Sequence, residues 1–110
     1  MKALIDTWAN AIKEAITAAS NASKKEDGGT CNLDAVVIDF TGWRQTSIQS
    51  LAQKAGVQIG EKLSGWMWKG SCFVNIPTEG QGSNNTRMVE AAVKKLKELG
   101  LPATTYYQMD

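Results

Sequence analysis

Residues 65–76, Gly-Trp-Met-Trp-Lys-Gly-Ser-Cys-Phe-Val-Asn-Ile, place two short apolar-aromatic runs on either side of Lys69-Gly70. Two such runs around a glycine-containing dipeptide are the signature of a β-hairpin. With Lys69-Gly70 as a two-residue turn, Trp68 lies opposite Ser71, Met67 opposite Cys72 and Trp66 opposite Phe73. Side chains alternate between the faces of a strand. One face then carries Leu63, Met67, Cys72, Val74 and Ile76, which suits a core beneath helices. The other carries Trp66, Trp68 and Phe73 with Ser71 and Asn75, an aromatic face that is either covered or binds something. Lys-Gly is a weaker turn pair than Asn-Gly. A three-residue loop with a bulge is the alternative, and it changes how the two strands face each other.

The remaining segments alternate in type. Leu4, Trp8, Ile12, Ala15, Ile16 and Ala19 recur at helical spacing and predict an amphipathic helix over 2–20, followed by a polar linker over 20–30. Ala35–Phe40 is a near-continuous apolar run, the pattern of a central strand, with Val36, Ile38 and Phe40 on one face and Val37 and Asp39 on the other. A helix capped by Thr46 or Ser47 follows, with Ile48, Leu51, Ala52 and Ala55 inward and Gly56 as its stop. The turn-forming loop 77–86 leads into a helix over about 86–99, and Gly100-Leu101-Pro102 ends it. The last strand is expected over 104–109.

After the first helix the order is β-α-β-β-α-β, which predicts an α+β fold: a ferredoxin-like split βαβ sandwich with an antiparallel four-stranded sheet. Residues 1–30 are expected to form an N-terminal helix and linker, and 31–110 the ferredoxin-like domain. Gln53–Val57 echoes Lys97–Leu101, in keeping with two similar halves. The first and third strands are expected to lie adjacent and parallel at the centre, which brings both strand-to-helix loops to one end. The N-terminal helix is the natural cover for the aromatic face, from the same chain or from a second copy.

Composition narrows the functional classes. The chain has 110 residues, a net charge of +1, no histidine and two cysteines, Cys31 and Cys72. Near-neutral charge argues against nonspecific DNA binding. The absence of histidine removes the commonest general base and metal ligand, and the cysteine spacing matches no metal pattern. No metal or cofactor is therefore expected. No run reaches the ~18 apolar residues of a membrane span, and Asp6, Lys13 and Glu14 interrupt any signal-peptide core, so the expected location is cytoplasmic. No pair among Asp39, Glu79 and Asp110 is spaced for acid–base work, and no nucleophile has a neighbouring base. A non-catalytic binding module is favoured over an enzyme.

Three regions are candidates for binding. The chain's two arginines, Arg44 and Arg87, each follow a central strand near the start of a helix. With Gly42, Gly80 and Gly82 for close backbone approach, Trp43 for stacking, and Thr46, Ser47, Asn84 and Asn85 as neutral partners, the two loops suit a small anionic or nucleotide-like ligand. The same residues also serve simply as turn formers, helix caps and solvated charges. The second candidate is a homodimer, adaptor or inhibitor surface built from Leu4, Trp8 and Ile12 of the first helix and Trp66, Trp68 and Phe73 of the aromatic face.

The third candidate rests on Lys69-Gly70-Ser71-Cys72-Phe73-Val74-Asn75-Ile76. This octet resembles part of the third-strand motif of RNA-recognition domains, with agreement at Lys69, Gly70, Phe73 and Val74. Ser71, Cys72 and Ile76 depart from it, and Val37 stands where the family's first strand carries an aromatic. The resemblance implies single-stranded RNA binding on the aromatic face, with most of the usual stacking surface missing and Asp39 repelling phosphates.

Overall fold

The helical pattern at the N-terminus folds as α1, Lys2–Ala22, in a computed structural model that describes residues 1–23, 34–78 and 83–107. The elements that follow are β1 Ala35–Asp39, α2 Gln45–Ala55, β2 Gln58–Ile59, β3 Ser71–Asn75, α3 Ser83–Glu98 and β4 Ala103–Tyr106. The four strands form one antiparallel sheet in the order β2-β3-β1-β4. Cys31 and most of the linker lie outside the described residues, as do Gly80 and Gly82.

Register sorts the side chains into two faces. Val36 is opposite Val74 and Thr105, and Ile38 is opposite Cys72 and Ala103. These positions face the helices, and all but Thr105 are buried. Val37 is opposite Phe73 and Thr104 on the other face, yet it is only 2% exposed. Both faces of β1 are thus shut off from water at the sheet centre, which explains why its sequence reads as a continuous apolar run.

Both α2 and α3 end in the same way. The Val57 amide donates to the Ala52 carbonyl across Gly56 (φ 74°), and the Leu101 amide donates to the Leu96 carbonyl across Gly100 (φ 90°). These are Schellman caps, which need a left-handed residue after the last helical turn. The local echo between the two halves is therefore a repeated helix stop. α3 starts earlier than the pattern predicts because Asn84 and Asn85, read as loop formers, are buried in its first turn. The Asn85 amide donates to the Asp34 carbonyl at 3.4 Å and the Asn84 amide to Ser23 Oγ at 3.3 Å.

Two expectations fail. The first is strand direction: β1 and β3 are adjacent but antiparallel. Connectivity requires this. A helical crossover returns β2 parallel to β1, the β2–β3 reversal then turns the chain over, and β3 must run against β1. The second is the place of α1. It does not cover the aromatic face but lies in the helical layer, packed against both α2 and α3, which make no close backbone approach to each other among the described residues. Ala9, Ala11, Ala15 and Ala19 are buried along α1, and these small side chains let the neighbouring helices come close. Trp8 meets Trp43 at 4.6 Å and Phe40 at 5.5 Å between ring centroids.

Ile12 is fully buried in this layer, whereas Leu4 is exposed. Ile12→Ala is expected to lower the unfolding free energy by about 2–5 kcal/mol, and Leu4→Ala by less than about 0.5 kcal/mol, in urea titrations. The Ile12→Ala loss is expected to be independent of protein concentration. A loss that grows on dilution would mean that α1 packs on a second copy.

Candidate functional site

The long connection between β2 and β3, residues 60–70, carries the most exposed large apolar side chains among the described residues. Its base is zipped by backbone bonds: the Gly60 amide donates to Phe73 O at 3.0 Å, Leu63 to Ser71 O at 2.9 Å, and Gly70 to Leu63 O at 3.1 Å. Its tip is two successive turns, in which the Trp68 amide reaches Gly65 O and the Ser71 amide reaches Trp68 O. The hairpin is therefore not the two-residue Lys69-Gly70 turn that the sequence suggests. Because α2 stops at Gly56, β2 enters the sheet at once, and residues 65–70 are left as turns. Met67, assigned to the core by alternation, is 67% exposed, and Trp66 beside it is 90% exposed.

Gly70 holds this connection against the β1–α2 loop. Its φ is +84°, and a Cβ placed there would lie 2.8 Å from Thr41 Oγ1. Its carbonyl accepts the Phe40 amide at 2.9 Å. Only glycine meets both the backbone angle and the spacing without strain.

Behind the tip, the helix-free sheet face is aromatic. Tyr106 on β4 meets Phe73 on β3 at 5.3 Å and Trp68 at 5.8 Å, both edge to face. Such T-shaped pairs join the positive edge of one ring to the negative face of another. Val37, Ser71, Asn75 and Thr104 share this face by register, with the charged Asp39 at its end opposite Ser71. Tyr106 was missed as a site residue. Its place beside Phe73 depends on the β1–β4 register, which sequence periodicity does not reveal.

The two strand-to-helix loops do not meet. Since β1 and β3 are antiparallel, the loop carrying Gly42 and Arg44, with Thr46 and Ser47 in the first turn of α2 behind it, leaves one end of the sheet and the chain leading to Asn84, Asn85 and Arg87 leaves the other. Trp43 is buried against Trp8 and Phe40 rather than presented for stacking. Arg44 is exposed at the N-cap of α2. Arg87 donates to Asn84 Oδ1 at 3.3 Å. Among the interaction residues, Trp8 and Ile12 are used within the chain's own helical layer, while Trp66, Trp68 and Phe73 lie outside it.

Electrostatics at the edge of the aromatic face centre on Asp39. Its Oδ1 accepts Thr41 Oγ1 at 2.6 Å and the Thr41 amide at 2.9 Å. Those two bonds hold its carboxyl below the ordinary value against the opposing effect of burial, and nearby Lys62 adds a lesser pull in the same direction as the bonds. Lys62 reaches across to donate to the Trp43 carbonyl. Burial pushes the Cys72 thiol up, so it stays a protonated core group. Among the described residues no cluster of His, Cys, Asp and Glu has the makings of a metal site, and no helix is long and apolar enough to cross a membrane.

Comparison with family models, curated proteins and solved structures gives no match for this chain.

Two substitutions test the geometry at the base of the connection. Gly70→Ala is expected to destabilise the fold by about 1–3 kcal/mol, from the left-handed backbone and the contact with Thr41. Adding Thr41→Ala should recover part of that loss in a double-mutant cycle, whereas strict additivity would show that the contact is not felt. Separately, Thr41→Val removes the larger of the two bonds that hold Asp39 ionised, so an NMR titration should show the Asp39 pKa rise towards its ordinary value. In the wild type that bond contributes stability above the unfolded-state pKa and loses it as pH falls through the lower folded value. Acid unfolding of Thr41→Val should therefore begin at higher pH.

Proposed function

We propose that this chain is a non-catalytic binding module that takes a protein partner on its helix-free aromatic sheet face. Trp66 and Met67 reach out from the edge of that face as anchors. The observation that carries the reading is that, among the described residues, no helix packs on this face. The helix expected to cover it is seated on the opposite side of the sheet, and Trp66 stands 90% exposed. Exposed aromatic and methionine side chains are enriched at the centres of protein–protein interfaces. Methionine adds a side chain that adapts to irregular partners.

The fold supports this role. The strand order β2-β3-β1-β4, with one helix between β1 and β2 and another between β3 and β4, fits a ferredoxin-like split βαβ sandwich with α1 inserted into its helical layer. That arrangement leaves one sheet face free of helices by construction. Fold alone does not assign function, so the reading stands on the side chains of that face. A single anionic ligand spanning both strand-to-helix loops finds no support in loops that leave opposite ends of the sheet. A cytoplasmic setting belongs to the same proposal and agrees with Cys72 being a buried free thiol.

Single-stranded RNA is the other class of partner this face suggests, since Phe73 stands on it and Lys69 precedes β3. A protein is favoured because Asp39 stays ionised at the end of the same face and the whole chain carries a charge of only +1. The test places a photo-cross-linking amino acid at Trp66 and, as a control, at exposed Lys13 on α1. Protein adducts at position 66 that are absent at position 13 and weakened by Trp68→Ala are the expected result. Equal adducts at both positions would sink the proposal. So would salt-sensitive binding of labelled oligo(U) that is lost in Phe73→Ala, which would assign the face to RNA. Sedimentation velocity then tells a second copy of the chain from a different protein.

A further inference from the structure

The connection that carries Trp66 and Met67 has a basic foot. Lys62, Ser64 and Lys69 at its base face Thr41 and Gly42 of the β1–α2 loop across an open groove of about 470 Å3. Gly70 closes the floor, where its missing side chain allows the two loops to touch. Among the described residues neither Lys62 nor Lys69 forms an ion pair. Lys62 is anchored by its bond to the Trp43 carbonyl, which uses one of the three protons of its ammonium group. Asp39 lies beside the groove, and its Oδ1 accepts both the Thr41 amide and the Thr41 hydroxyl.

Lys62 and Lys69 are the charged residues that line this groove, and no acidic residue among the described ones lines it. We propose that this groove is a carboxylate site: it receives an acidic side chain of the protein partner while the adjoining tip of the connection holds an apolar one. The assignment rests on the partner reading above and narrows it to a segment that pairs an acidic residue with a neighbouring apolar residue. Asp39, bonded to Thr41 at the groove wall, repels a phosphate dianion more strongly than a monoanionic carboxylate. The Ser64 hydroxyl supplies a neutral donor beside the two cations. Lysine acts here as a point charge that needs no fixed approach angle, unlike the planar fork of arginine, so the site selects charge and position rather than a bidentate geometry.

The experiment is a 1H–15N NMR titration of the full chain with two blocked peptides, leucine-glutamate-leucine and its glutamine counterpart. Saturating shifts at the Gly42, Ser64 and Gly70 amides are expected with the glutamate peptide, at an affinity at least about fivefold above the glutamine peptide and falling with added sodium chloride. Lys69→Gln and Lys62→Gln should each remove that preference while leaving the rest of the spectrum in place. Equal affinity for the two peptides, or a preference untouched by both lysine variants, would overturn the assignment. Tighter binding of inorganic phosphate than of the glutamate peptide would overturn it as well. Absence of the glutamate preference in the unsubstituted chain, with cross-linking at position 66 intact, would reject the groove and keep the partner surface. Absence of both would reject the two together.

Discussion

Trp8 sits 4.6 Å from Trp43 and 5.5 Å from Phe40, and the outward character of the protein follows from that contact. Phe40 and Trp43 belong to the end of β1 and the loop leading into α2, on the helical side of the sheet. By engaging both, Trp8 holds α1 in the helical layer, where the fully buried Ile12, Ala15 and Ala19 complete the seat. Each large buried side chain contributes roughly 1.5–3 kcal/mol relative to exposure. A helix committed in this way is not free to swing over to the other face. The aromatic surface of Trp68, Phe73 and Tyr106 is left without a helical cover of its own.

That commitment has a second consequence at the loop beside it. Trp43 turns inward to meet Trp8, which draws the β1–α2 loop tight and presents its carbonyl to Lys62. The same loop is fixed on its other side by the Asp39–Thr41 bonds and by the close approach of Gly70 to Thr41. An aromatic contact in the core and an exposed carboxylate turn thus fix the same few residues from opposite directions. The long β2–β3 connection inherits this rigidity at its base, although its tip projects into water.

Much of this was legible from residue patterns. The periodicity of α1 and α2, the apolar run of β1 and the glycine stops at Gly56 and Gly100 all act over a few residues, and the structure obeys them. What escaped depends on partners distant in sequence. Asn84 and Asn85 read as loop because asparagine forms turns, but Asp34 and Ser23 give them hydrogen bonds inside a helix. Met67 read as core because alternation assumes a strand, while the short β2 at 58–59 takes the place beside β3 and leaves the residues after it as turns. The side of the sheet on which α1 rests was beyond pattern altogether, since burying its stripe on either face removes a similar apolar area from water.

The antiparallel pairing of β1 and β3 shows a different kind of limit. No residue was misread there. The order of strands and helices already dictated the direction, because two helical crossovers joined by a hairpin leave the two central strands opposed. The separation of Arg44 from Arg87 follows from that rule, and so does the nearness of Thr41 to Gly70. The end of β1 and the start of β3 must lie side by side when the strands run in opposite directions. The loop after β1 therefore meets the connection before β3, and Lys62, unremarkable in the sequence, and Lys69, read there as a turn residue and part of the octet, come to face Thr41 and Gly42 across one groove. Topology thus sets the basic groove and the aromatic tip on one continuous connection, with charge at its foot and apolar surface at its end.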